Sequence, residues 1–169
     1  MLLNGPMPTT AAQAAVTTGT AIKTMLQVKL GASTNMVGKV VEWGISFDGS
    51  AAATPIKCEL LTTGAIKATI TEFVAADIIN LTDVNAAAVT DAFPFAFTAA
   101  TDESGYTASA EGTIVATRVM DVQFIAPTNQ YVKQFPLGRE PTFKATEYLR
   151  IRVTAGAAVN AYCYLVIEV

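Results

Sequence analysis

The sequence predicts an all-β fold: a single-domain β-sandwich of jelly-roll-like type, or a barrel, carrying an extended N-terminal arm. Three observations lead there. Apolar and polar residues alternate with a period of two along much of the chain, Gly, Pro and Asn punctuate it at short intervals, and the β-favouring residues Thr, Val and Ile are abundant. A length of 169 residues suits one domain, and no fixed-period repeat or linker divides it. The boundaries are an arm over 1–19 and a sandwich domain over 20–169.

The arm combines Gly5, Pro6, Pro8 and Gly19 with many Ala and Thr and no charged residue, which reads as extended chain and not as the opening of a core. Ala11 to Ala15 is too short to stand alone as a helix. From Thr20 the alternation begins, with Ile22, Thr24, Leu26, Val28 and Leu30 on one face and Lys23, Met25, Gln27 and Lys29 on the other. After the turn residues GASTN, the residues Val37, Val41, Trp43, Ile45 and Phe47 share a face opposite Gly38, Glu42, Gly44, Ser46 and Asp48. Lys39 breaks this pattern. Asp48-Gly49-Ser50 is turn chemistry, and Ile56, Cys58 and Leu60 then point inward.

Further strands are expected over 68–74, 95–98, 114–125, 131–135, 148–154 and 159–169. Residues 77–90 fit a short helix or an excursion loop equally well. The last two strands are the clearest: Leu149, Ile151 and Val153 oppose Arg150 and Arg152, and Val159, Ala161, Cys163, Leu165, Ile167 and Val169 oppose Asn160, Tyr162, Tyr164 and Glu168. The turn TAGAAVN joins them as a hairpin.

Composition narrows the function classes. A net charge of -3 without any basic run gives no electrostatic footprint for nucleic acid. No apolar stretch reaches the roughly 20 residues of a membrane helix, and the first residues lack a secretory signal, so a chain kept in the cytoplasm until assembly is expected. Asn80-Leu81-Thr82 matches a glycosylation acceptor, but without a secretion signal it is set aside. Cys58 and Cys163 lie at apolar strand phases and read as small buried hydrophobes.

The chain has no histidine, which removes the usual general base and the commonest metal ligand. It also has no phosphate-binding or dinucleotide fingerprint. Catalysis would rest on carboxylates, with Asp102 and Glu103 or Glu42 and Asp48 as the candidate pairs. Glycoside hydrolysis also needs aromatic platforms, and Asp102 to Tyr106 reads as a solvated turn before a strand. An acidic loop could take calcium, but no EF-hand spacing exists. The expectation is a non-enzyme with no catalytic, metal or cofactor-binding residue and no cofactor.

Charged residues are only 15% of the chain, against roughly 25% in typical soluble domains. A surface that poor in charge suits a chain whose exterior is partly interface. The candidate interface residues are Leu2, Leu3 and Met7 in the arm, Leu137 and Arg139 in the loop QFPLGREP, and Tyr162 and Tyr164 on the polar face of the last strand. In that loop Pro136 and Pro141 restrict the backbone, Gly138 permits a tight bend, and Arg139 places five donors at the tip. Trp43 shares its face with Ile45 and Phe47 and reads as core.

Three stretches, Val41 to Leu61, Gln134 to Pro141 and Leu149 to Val169, resemble small structural proteins encoded by tailed bacteriophages and prophages. With the strand before Trp43 the resemblance covers about half of the chain, and it fades between Ala75 and Glu111. It implies a minor capsid or decoration (cement) protein that binds the major capsid protein of a phage head and stabilises the lattice. It further implies a homo-oligomer, such as a trimer over local threefold positions, located in the virion. The alternative within the same class is a tail, head-fibre or host-surface-binding module.

Overall fold

The computed structural model describes residues 1–5, 16–31, 35–50, 54–74, 77–79, 81, 103–112 and 114–169. Among them run the strands β1 (Leu2–Leu3), β2 (Val16–Thr17), β3 (Ile22–Val28), β4 (Val37–Asp48), β5 (Ile56–Thr62) and β6 (Thr69–Glu72). They are followed by β7 (Gly105–Ala110), β8 (Arg118–Ile125), β9 (Gln130–Gln134), β10 (Thr142–Lys144), β11 (Leu149–Thr154) and β12 (Asn160–Glu168). No α-helix occurs among the described residues.

The strands form two antiparallel sheets packed as a sandwich. In the first, β12 and β4 lie side by side, with β1 and β2 along the outer side of β12 and β9 and β10 along the outer side of β4. The second has the order β6-β7-β3-β11-β5-β8. Neither closes on itself, so the barrel alternative gives way to an open sandwich. Trp43, Ile45, Cys163 and Leu165 from the first sheet meet Leu26, Cys58, Leu60 and Ile151 from the second in one core. Burial of that apolar layer, at ~25 cal/mol per Å², is the main force joining the sheets.

The predicted faces hold until a β-bulge shifts them. Glu42 pairs with Val166 but Val40 with Ile167, so Val41 is an extra residue on β4. N-terminal to it the phase reverses: Gly38 and Val40 turn inward, and Val37 and Lys39 turn out. That accounts for the misfit of Lys39 and corrects Val37, which is exposed. On β3, Met25 is the extra residue between pairs Leu26–Ile151 and Thr24–Arg152. Met25 and Leu26 are therefore both in the core, while Thr24 turns to the outer face. On β8, Met120 is extra in the same way. One inserted residue moves every later side chain to the opposite face, and period-two reading cannot see it.

The described ends of the expected arm correct it, while its residues 6–15 lie outside the described residues. Leu2 and Leu3 pair with Leu165 and Tyr164 and are 0% and 2% exposed. The Asn4 carboxamide donates to the carbonyl of Ala161 and accepts from the amide of Cys163, both at 3.0 Å. Residues 1–5 and 16–18 thus belong to the sheet, because the edge of β12 would otherwise leave its backbone groups unpaired. The expected strand over 95–98 and most of 77–90 lie outside the described residues.

Candidate interaction surface

The loop between β9 and β10 is a fixed turn. The amide of Arg139 donates to the carbonyl of Pro136 at 2.9 Å, and Gly138 supplies the positive φ of 78° at the third position. This is a type II turn, whose third position favours Gly because a Cβ is strained there. Leu137 stands at its tip, 97% exposed. Arg139 is also exposed, and among the described residues its side chain has no hydrogen bond or ion pair. The turn therefore presents an apolar side chain and a free guanidinium side by side.

A second apolar surface was not anticipated. β8 is an edge strand, and Val119 before its bulge and Val122 and Phe124 after it project from the outer face of the second sheet. Phe124 is 70% exposed, opposite Lys57 on β5. Ile114 and Val115 are exposed on the segment leading into β8, so the apolar surface extends beyond the strand. The alternation over 114–125 was legible, but the sequence does not say that its outer face is the apolar one.

The open side of the sandwich at β8 is closed by Asp121. Its Oδ2 accepts from Trp43 Nε1 at 3.2 Å and from the hydroxyl of Tyr131 at 2.8 Å. Its Oδ1 accepts from the Val122 amide at 2.9 Å and from Gln123 Nε2 at 3.1 Å. Four donors satisfy this carboxylate without a cationic partner. Tyr131 meets the Trp43 ring edge-on at 5.3 Å. Burial and the Asp121 carboxylate together push the Tyr131 phenol up to about 12. The Val122 amide, a hydrogen-bond donor on an edge strand, is capped by its neighbour's side chain, which blunts edge-to-edge pairing.

On the outer face of the first sheet, Tyr162 is exposed and Tyr164 half-buried. The Tyr164 ring lies over Gly44, where a Cβ would come within 2.5 Å of it, and its hydroxyl donates to Glu42 Oε1 at 2.5 Å. Burial and that carboxylate push its phenol up to about 12. Tyr164 is thus engaged within the chain, and Tyr162 is the more available ring. Leu2 and Leu3 are buried and offer no free surface to a partner, while Met7 lies outside the described residues.

Arg150 and Arg152 lie opposite Leu149, Ile151 and Val153, as the alternation assigns, and both are buried. β11 is central in its sheet, and both guanidinium groups are buried on the face away from the core. Arg152 donates from Nε and Nη2 to Glu59 Oε2 at 3.3 and 3.2 Å, and from Nη1 to the carbonyl of Ile114 at 2.7 Å. Arg150 reaches the carbonyls of Ile66 and Glu111 at 2.6 and 3.3 Å and lies 3.6 Å from the Glu111 carboxylate. Glu111 in turn accepts from the hydroxyl of Thr24 at 2.6 Å. Burial pushes Arg150 down to about 10, with Glu111 opposing and Arg152 reinforcing the shift. These groups clamp the chain at Ile66, Glu111 and Ile114 onto the sheet, and their partners are already within the chain.

Of the candidate acid pairs, the one within the described residues does not converge. Glu42 and Asp48 stand six residues apart on one strand, roughly 20 Å at ~3.3 Å per residue. Glu103 is held by Lys29 at 2.7 Å, and Asp102 lies outside the described residues. The solvated-turn reading gives way at Ser104, which is fully buried and bonded to the backbone of Lys29. Among the described residues no group of three Asp, Glu or Cys is arranged to hold a metal ion. Burial pushes the Cys58 thiol up to about 12 and Cys163 well above its ordinary value, so both are poor nucleophiles. Comparison with protein-family models, curated proteins and solved structures gave no match.

Proposed function

We propose that the chain is a non-catalytic structural protein of a tailed-phage virion, a decoration or cement protein that docks on the major capsid protein and stabilises the head lattice. The observation that carries this reading is Leu137, 97% exposed on a fixed turn beside the free Arg139. A preordered turn loses little conformational freedom when it docks, so its contacts count more fully towards binding. Arg139 offers a bidentate donor pair to a partner carboxylate. The resemblance of Val41 to Leu61, Gln134 to Pro141 and Leu149 to Val169 to phage structural proteins supplies the setting, and the low charge of the chain agrees with an exterior used for contact.

In this reading each copy binds weakly and the lattice supplies strength through repeated attachment. The exposed side chains of β8, Val122 and Phe124 above all, form a second contact surface towards a neighbouring subunit. The test is particle occupancy. Particles assembled with a Leu137→Ser/Arg139→Ala chain should carry several-fold fewer copies than those with the unaltered chain, while the isolated variant unfolds at the same temperature. Equal occupancy would refute the docking role of the turn.

A further inference from the structure

The exposed apolar side chains on the outer face of the second sheet lie over charges that are already bound. Phe124 and Val122 stand opposite Lys57 and Glu59 on β5. One oxygen of Glu59 accepts from Arg152, the other lies 2.7 Å from the Lys57 ammonium, and Arg152 Nη1 holds the carbonyl of Ile114 at 2.7 Å. Ile114 is thereby tied to the same Glu59–Arg152 pair that Val122 flanks. Arg118, at the start of β8, turns instead to the carbonyl of Thr142 on the first sheet. Each of these charged groups has its partner within the chain, and Ile114, Val115, Val119, Val122 and Phe124, between 40% and 70% exposed, have none.

We infer that this face is where two copies of the chain meet, outer sheet against outer sheet about a two-fold axis. The inference deepens the reading of β8 as a contact surface towards a neighbouring subunit, and rests on it, by making that neighbour a second copy. Area is the first reason. At these exposures the five side chains present on the order of 400 Å² of apolar surface, the share expected in a standard interface where each partner buries ~800 Å² and a little over half of it is non-polar. Charge is the second. In a two-fold interface each patch meets its own copy, so an uncompensated charge near the axis would face its like. Here Lys57, Glu59 and Arg152 are bound within the chain, and apolar surface is complementary to itself. An acidic or basic partner would find no counter-charge to bind. The capped edge sets the mode of contact: Asp121 Oδ1 accepts from the Val122 amide at 2.9 Å, so a second β8 cannot extend the sheet by pairing along the edge there. The copies therefore meet through side chains, and the assembly closes at two.

The experiment uses the purified chain without particles, so the dimer and the capsid docking of the Leu137–Arg139 turn can fail separately. Sedimentation equilibrium at up to ~100 µM should give twice the chain mass. Phe124→Asp and Val115→Asp should each weaken association at least ~10-fold and return the chain to a single copy, with its circular dichroism unchanged. Phe124→Ser, a milder change at the same exposed position, serves if the acid disturbs folding. The Leu137→Ser/Arg139→Ala chain should remain a dimer. A single-copy mass for the intact chain would overturn the inference and leave the face to the capsid protein. A dimer that survives the substitutions at Phe124 and Val115, or one that the turn variant dissociates, would also overturn it, since the contact would then lie elsewhere.

Discussion

Asp121 on the edge of one sheet accepts a hydrogen bond from the indole of Trp43 in the other, across the side of the sandwich, at 3.2 Å. The same carboxylate takes the Tyr131 hydroxyl and two donors of its own strand. One acid thereby does two things. It ties the sheets together where no apolar residue could reach two polar tips, and it caps a backbone amide on a strand whose outer face is apolar.

Asp121→Asn should therefore destabilise the fold. An amide has one accepting oxygen where the carboxylate has two, so two of the four donors lose their partner. The expected loss is about 1–3 kcal/mol in urea unfolding, together with a shift in Trp43 emission. Unchanged stability and emission would show that the sheets are held there by packing alone.

The buried arginines predict a contrast between residues of one type. Arg152→Ala leaves Glu59 buried with only Lys57, 2.7 Å away at its other oxygen, and should cost about 3–5 kcal/mol. Arg139→Ala removes an exposed side chain and should leave unfolding within about 0.5 kcal/mol of the unaltered chain. Urea titration of the two variants side by side measures the difference.

Leu2 lies in the core cluster, so Leu2→Ala should cost about 2–5 kcal/mol, the range for truncating a buried leucine. A nearly unchanged melting temperature would restore the view of the N-terminus as an arm outside the fold.

Much of this architecture was legible in the alternation. Trp43, Ile45 and Phe47, and Ala161, Cys163 and Leu165, occupy the inner faces their period assigns. The expected hairpin through TAGAAVN is a crossover between the sheets, since Leu149–Thr154 pairs with β3 and β5 and Asn160–Glu168 with β4. The other misreadings also have physical causes. Single-residue bulges at Met25, Val41 and Met120 carry no signature in composition, yet each reverses a face. Leu2 and Leu3 precede a Pro-rich stretch that looks like free chain, and their pairing with residues more than 160 positions away is invisible to local pattern. The burial of Arg150 and Arg152 is not legible in the alternation, because their strand's position at the centre of a covered sheet is a tertiary fact. Of the candidate interface residues, the turn holding Leu137 and Arg139 was readable because Pro and Gly fix its backbone. The apolar face of β8 was not, since exposed and buried valines look alike in sequence.

Alkaline pH should weaken the fold. Tyr131 and Tyr164 are held up to about 12, whereas an unfolded tyrosine ionises near ~10. Between those values the unfolded chain has released protons that the folded chain keeps. Their contribution is fully present below pH ~10 and is lost as the pH rises towards 12. Absorbance of phenolate in the native protein should lag that in denaturant, and the lag should shrink in a Tyr131→Phe/Tyr164→Phe variant. Coincident native and denatured titrations would contradict the assigned hydrogen bonds.

The most direct test of the central claim is the copy number and position of this chain on purified particles from the host that encodes it, by electron microscopy with quantitative mass spectrometry. The account predicts an abundant surface protein at repeated lattice positions on the head, with the Leu137–Arg139 turn facing the capsid. Particles that assemble without the chain, or carry it only at the tail, would contradict a role as a head decoration protein.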